Sequence, residues 1–233
     1  MKEEKNTTKV DFGKKHSKKK MTYKNIALYI ILFVLVLGFF IGAYYYFNDS
    51  DKVIEKDYTI YEGFAFEKIG KFWQTVVEKD GNLYEVPSYT HPLDLEDKDY
   101  YYDDRITDFI LKVRHSNLVL AVEPDAGSIP VMAGVNVAKI TGSFYGLPTS
   151  SALYIPADER NESFNYSAPV VDCSDASIMS PIIYLDDKAE VEGVYSINEY
   201  PGCIVIGANV SENNQTILEL SDLFVFKILR IMD

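Results

Sequence analysis

A chain of 233 residues with 23 Lys and Arg against 35 Asp and Glu carries a net charge of −12, which would repel phosphate and excludes nucleic acid as a partner. The charge is unevenly split: residues 1–24 hold nine Lys and three acids, a net of +6, and the remainder holds 14 basic against 32 acidic residues, a net of −18. With two Cys and three His, a metal site of four protein ligands would have to recruit carboxylates, so neither a metal nor a cofactor is expected.

Residues 1–24 are polar and highly charged, the composition of a disordered tail. Ile26 to Phe47 comes next, 22 residues without a charge, which at about 1.5 Å per residue covers the roughly 30 Å of a bilayer core. The stretch 25–47 therefore reads as a transmembrane helix. Lys14, Lys15, Lys18, Lys19, Lys20 and Lys24 place the N-terminus in the cytoplasm. A cleaved signal peptide would have a shorter apolar core and a small-residue cleavage site, whereas this stretch ends in Tyr44-Tyr45-Tyr46-Phe47, fit for an interfacial aromatic belt. Gly38 and Gly42 form a Gly-x-x-x-Gly face through which two spans could pack into a homodimer. The basic cluster would also attract anionic head groups, although setting topology is reason enough for it.

Residues 48–57 read as a polar stalk, and 58–233 as an extracytoplasmic α/β (α+β) domain, long enough for its own core. Asn-x-Ser/Thr sequons at Asn48, Asn161, Asn165, Asn209 and Asn214 exceed the one or so expected by chance and fit a glycosylated outer surface. Gly63 to Ile69, Phe72 to Val77 and Leu83 to Val86 are apolar or alternate with period two. Gly70-Lys71 and Asp80-Gly81 between them are hairpin signals, so an antiparallel meander opens the domain. Trp73 belongs to its core or edge cover. The acid-rich stretch Pro87 to Asp104, with Tyr100-Tyr101-Tyr102, reads as an exposed connector; without a Gly it does not fit a calcium loop.

Ile106, Phe109, Ile110 and Val113 have helical spacing behind Asp104 as a cap. Leu118 to Val122, a helix over Val131 to Thr141 that begins near Ser128 and stops at Gly142, and Ala152 to Ile155 make a strand, crossover helix and parallel strand. Residues 157–172 read as an exposed excursion. Pro181 to Leu185, Val191 to Ile197 and Cys203 to Ile206 complete a mixed sheet packed by two or three helices, with turn signals at Asp186-Asp187 and Pro201-Gly202. Thr216 to Met232 closes the domain as a helix behind Asn213 or Asn214, burying Ile217, Leu220, Phe224, Ile228 and Ile231.

The segments GFAFEKIGKFWQT, NLYEVP, LAVEPD, the VDC at Cys173, PIIYLDD, GCIVIGAN at Cys203 and the closing RIM resemble those of uncharacterised single-pass membrane-anchored proteins of small-genome (DPANN-type) archaea. The resemblance implies the architecture above and no activity or partner. Members of that group carry a second cysteine pair around the segment that is Ala157 to Ala168 here, where this chain has no Cys.

Cys173 and Cys203, the only two cysteines, both fall on the side read as extracytoplasmic, where a disulfide can form; packing as free buried thiols is the alternative. No nucleophile elbow, zinc-protease or P-loop motif is present. A site on a parallel sheet belongs at the carboxyl ends of its strands, which puts Glu123 and Asp125, with His115, forward as candidate acid, base or cation-holding groups. Glu123 and Asp125 could equally do no more than stabilise a helix N-terminus. Two functions remain. One is a non-catalytic cell-envelope protein whose tethered domain binds another surface protein or polymer. The other is a membrane-anchored hydrolase or small-ligand-binding protein with its site at Glu123 and Asp125. A cleft around those carboxylates would favour the second, an exposed aromatic patch at Tyr100 to Tyr102 the first.

Overall fold

Period-two alternation and two hairpin turns build the first sheet, in which β1 (Tyr58–Tyr61), β2 (Phe64–Ile69), β3 (Phe72–Lys79) and β4 (Asn82–Ser88) pair antiparallel in sequence order. This is the meander expected from the sequence, with β1 as an additional first strand. Asp80 and Gly81 both take positive φ, which a tight two-residue hairpin requires. The computed structural model describes residues 57–113, 116–160, 166–209 and 215–232, together with Phe33, residues 35–39 and Ile41.

The chain divides into two units, Met1–Glu55 and Lys56–Asp233. In the first, the described residues are helical and exposed, and nothing lies within 4 Å of where a Cβ on Gly38 would be. Among the described residues no helix is long and apolar enough to cross a membrane. Most of the stretch 25–47, Gly42 included, lies outside them, as do the tail and most of the stalk.

The second unit is mixed α+β, pairing the antiparallel sheet with a seven-stranded mixed one. The second sheet has the order β5 (Tyr101–Tyr102), β10 (Lys188–Ser196), β11 (Cys203–Asn209), β9 (Ile182–Asp186), β6 (Leu118–Val122), β7 (Thr149–Tyr154) and β8 (Val170–Val171). Strands β6, β7, β8, β9 and β11 run parallel, and β10 runs against β11 with β5 parallel to it. The expected unit of strand, helix and parallel strand is present as β6, α3 (Ser128–Ser143) and β7. That helix begins three residues before Val131, because Gly127 rather than Ser128 is its N-cap, and it runs one residue past Gly142.

Alternation sorts the second sheet's two faces. Leu118, Leu120, Ile183, Leu185, Ile204 and Ile206 join the main core with α3 and α4 (Thr216–Ile228), as do Phe66, Val77 and Val86 from the first sheet. Edge-to-face contacts of Phe66 with Phe226 and of Tyr84 with Phe144 connect the first sheet to this helical layer. Val119, Ala121, Ala152 and Ile182 form a smaller core on the opposite face, where Val171 and Ala176 cover them. The closing helix is buried nearly all round but ends at Ile228 rather than Met232; Ile217, Leu220, Phe224 and Ile228 are in the core on it, and Ile231 is buried just beyond its end. Its expected caps, Asn213 and Asn214, lie outside the described residues, and its N-cap is Gln215.

Two features differ from the sequence reading. Strands β9 and β10, which flank the expected turn at Asp186-Asp187, are not neighbours in the sheet, because β11 returns between them. The start of β10 bulges over Gly207, where a Cβ would lie 2.8 Å from Ala189 Cβ and 3.0 Å from the Val191 carbonyl oxygen. The stretch Pro87 to Asp104 is not an exposed connector. It folds into α1 (Pro92–Glu96) and β5, with His91, Leu95 and Asp103 buried. Asp103 accepts hydrogen bonds from the Arg105 backbone and guanidinium at 2.8–3.1 Å and from the Ser196 hydroxyl at 2.5 Å, and the Arg105 guanidinium holds its carboxyl well below the usual carboxylate range. Asp103 also replaces Asp104 as the side chain bonded to the first turn of α2 (Arg105–Lys112).

Buried Asp222 of α4 joins three elements. Its Oδ2 accepts from the backbone N–H groups of Tyr89 and Thr90 at 2.7 and 2.8 Å, and its Oδ1 from the Asn136 amide of α3 at 2.9 Å. Burial pushes this carboxyl up, against the pull of the hydrogen bonds from Thr90 and Tyr89.

Candidate functional site

The parallel strands end together, and the residues at and just beyond their carboxyl ends line one cleft. Glu123, Pro124 and Asp125 come from the end of β6, Tyr154, Ile155 and Pro156 from the end of β7, and Tyr184, Asp186 and Lys188 from the end of β9 and the start of β10. Glu159 and Tyr166 close the outer side, and the cavity measures about 770 Å³. Strand polarity sets this location. Open parallel sheets bind ligands at their carboxyl ends because side chains and loops from several strands converge there.

Lys188 connects the two candidate carboxylates. Its ammonium donates to Glu123 Oε2 and lies 3.3 Å from both oxygens of Asp125, while the Tyr184 hydroxyl donates to Glu123 Oε1 at 3.0 Å. Hydrogen bonding to Lys188 lowers the carboxyl of Asp125, and hydrogen bonding to Glu123, then to Asp125, raises the ammonium of Lys188. Neither acid lies in the first turn of α3, whose N-cap is Gly127; both instead pair with Lys188.

Asp186, on the same sheet face as Tyr184, is affected in the opposite sense. Burial, with Glu123 and Asp187 close by, raises its carboxyl above the ordinary value. Burial chiefly raises Asp187 as well, and its Oδ1 is buried without a hydrogen-bond partner among the described residues. Tyr184 stacks on Tyr154 with centroids 3.6 Å apart and planes 8° from parallel, and burial above all pushes the Tyr184 hydroxyl up. The cleft thus presents carboxylates, tyrosine rings and one internally paired ammonium.

Glu123 and Asp125 are therefore brought together as the sequence suggested, while His115 lies outside the described residues. The sequence reading missed Asp186, Lys188, Tyr154 and Tyr184. The rule that picked out Glu123, which comes after an apolar strand at its carboxyl end, applies equally to Asp186-Asp187-Lys188 after Pro181 to Leu185. Reading the acid pair as a turn signal hid it. Among the described residues no group of three or more His, Cys, Asp and Glu is placed to hold a metal.

The tyrosine run does not make an exposed aromatic patch. Tyr101 is exposed, but Tyr100 donates to Glu219 and the Tyr102 hydroxyl pairs with Thr107 Oγ1 at 2.9 Å. Cys173 and Cys203 form a disulfide with Cα atoms 5.3 Å apart, and the Tyr154 hydroxyl lies 3.7 Å from Cys173 Sγ. The excursion over 157–172 is tied back by Arg160, whose guanidinium reaches Asp172 at 2.9 Å and Asp175 at 2.6 Å. Of the sequons, Asn209 ends β11 opposite Lys188; Asn48, Asn161, Asn165 and Asn214 lie outside the described residues. No protein-family model, curated protein or solved structure matches the chain, which leaves the chemistry of the cleft to speak for its function.

Proposed function

We propose that this protein is a single-pass, membrane-tethered binding domain of the cell envelope that holds a donor-rich, cationic component of the surface, such as an amine-bearing glycan, in the cleft at Glu123 and Asp125. The observation that carries the reading is the cleft itself. Its carboxylates accept from ammonium and hydroxyl groups and reject anions, its tyrosine rings can support a sugar ring or cover a cation, and its pair Glu123–Asp125 already holds one ammonium. The Lys188 side chain is largely exposed on a flexible stem and can yield its place to a ligand. Tethering is supported by the uncharged stretch 25–47, the change from +6 to −18 across it, and the five sequons beyond it. The likeness to membrane-anchored archaeal proteins points the same way. The lipid bilayer is then one partner, a surface polymer or protein the other, and a second copy through Gly38 and Gly42 a third.

Binding is tested with a glucosamine trimer titrated calorimetrically into the detergent-solubilised full chain. The trimer is expected to bind, and Glu123→Gln with Asp125→Asn to weaken it about tenfold or more, whereas Glu78→Gln with Glu85→Gln, the same charge change on the first sheet, leaves it unaltered. Equal weakening by both pairs would reduce the effect to net charge and remove the cleft from the reading. A second reading comes from Asp186, whose raised carboxyl lines the same cleft as the lowered one of Asp125, the split that acid and base partners show. Recovery of the trimer intact supports binding alone; shortened products would make this a hydrolase with Asp186 as proton donor.

Topology is tested separately. Protease added to sealed cells should remove a C-terminal tag and spare an N-terminal one. Loss of the N-terminal tag would overturn the orientation.

A further inference from the structure

His91 sits where β4 leads into α1, 4% exposed, in a box made by Tyr61, Phe66 and Trp73, whose ring centroids lie 6.4, 5.0 and 4.6 Å away. Both ring nitrogens are engaged. Nδ1 accepts from the backbone N–H of Leu93 at 3.2 Å, the N-cap bond of α1, and Nε2 pairs with the Thr59 hydroxyl of β1 at 2.6 Å. An acceptor at Nδ1 leaves the ring proton on Nε2, so this geometry requires the neutral imidazole. A second bond joins the same two elements: the Tyr61 hydroxyl of β1 donates to Glu96 Oε1 of α1 at 2.6 Å.

We propose that His91 is an acid-released latch, which holds β1 and α1 together while neutral and loosens both when it takes a proton. A proton on Nδ1 would point at the Leu93 N–H, removing the cap of a five-residue helix and leaving an unpaired charge in an aromatic box. With its cap gone, α1 no longer fixes Glu96 for Tyr61. The Nε2–H bond to Thr59 survives protonation, so the loss reaches β1 through α1, and the four-residue ladder to β2 carries more of the strand's hold.

The charged groups around the box do not neutralise the effect. Asp94 and Glu96 lie on α1, Lys68 of β2 lies over the Trp73 ring at 5.2 Å, and Asp222 of α4 is already occupied by the N–H groups of Tyr89 and Thr90. Burial lowers the imidazole below the ordinary value of 6.5, and Asp94 opposes this only in part. The folded state therefore binds the proton less tightly than the unfolded chain does. The latch is whole above pH 6.5 and is lost as pH falls from 6.5 through the lower folded value.

The test is hydrogen exchange of the full chain in neutral-lipid nanodiscs at pH 7.5 and 5.5, corrected for intrinsic rates. Peptides within 57–69 and 91–97 are expected to lose protection at least tenfold at the lower pH while β11 and α4 keep theirs. His91→Asn, whose side chain can still cap α1 but cannot titrate, is expected to abolish the pH dependence, whatever its level of protection. Unchanged protection in the native chain, or the same loss in the variant, overturns the latch. A direct readout needs no variant to fold well: the His91 imidazole resonance should titrate with a midpoint below 6.5, and a midpoint at or above it refutes the proposal.

Discussion

Reducing the Cys173–Cys203 bridge is expected to lower the melting temperature of the outer unit by on the order of 10 °C. The two cysteines are 30 residues apart, and releasing a loop of that length returns chain entropy worth about 3–4 kcal/mol to the unfolded state in the simple chain model. The native state loses something too, because the bridge pins the turn Cys173–Asp175 to the first residue of β11, and the segment after that turn helps cover Val119, Ala121, Ala152 and Ile182. Thermal unfolding of the oxidised chain, the reduced chain and Cys203→Ser measures the effect. The variant and the reduced protein should melt together, and a shift within about 2 °C of the oxidised chain would show that the cover holds without its staple. Alkylation under denaturing conditions should label no thiol until reductant is added and both afterwards.

Asp222→Ala should be comparably severe, costing on the order of 3 kcal/mol or more, because it removes a buried acceptor shared by three donors. Three donors, from Tyr89, Thr90 and Asn136, would lose their acceptor where water cannot replace it, at roughly 1–3 kcal/mol for each one left unsatisfied. The isosteric Asp222→Asn distinguishes hydrogen bonding from packing. It keeps the shape but turns an N–H₂ group toward backbone N–H groups or toward the Asn136 amide, so it should retain most of the loss. Denaturant unfolding of both variants against the native chain provides the measurement. Native-like stability of the Asn variant would mean that packing, not acceptor chemistry, holds the layers together there.

Much of the fold is legible in local pattern. Phe64 to Ile69 and Phe72 to Lys79 alternate, Asp80-Gly81 dictates a hairpin, and Leu118 to Val122 and Cys203 to Ile206 are apolar because both faces of their sheet are covered. What escaped depends on partners distant in sequence. His91 and Asp103 lie in an acidic, proline-containing stretch and become buried because Thr59 and Ser196, each over 30 residues away, supply their hydrogen bonds. That β10 pairs with β11 and not with β9 is a choice between two local turn signals, Pro201-Gly202 and Asp186-Asp187, and a strand's pattern records which face is buried and not which neighbour it has. At the cleft the positional rule found Glu123 and Asp125. It passed over Asp186 and Lys188 because Asp186-Asp187 also reads as a turn.

Insertion of β11 between β9 and β10 fixes when the fold can be completed during synthesis. The strand that separates β9 from β10, and the helix buried on nearly every side, both come from the stretch Cys203 to Ile228, after every other strand has been made. Until that stretch arrives, β9 and β10 flank an open slot, and Phe66 has no Phe226 to pack against. Helix α4 supplies the centre last, so the domain closes in one late step in which β11 enters the sheet and Cys203 reaches Cys173.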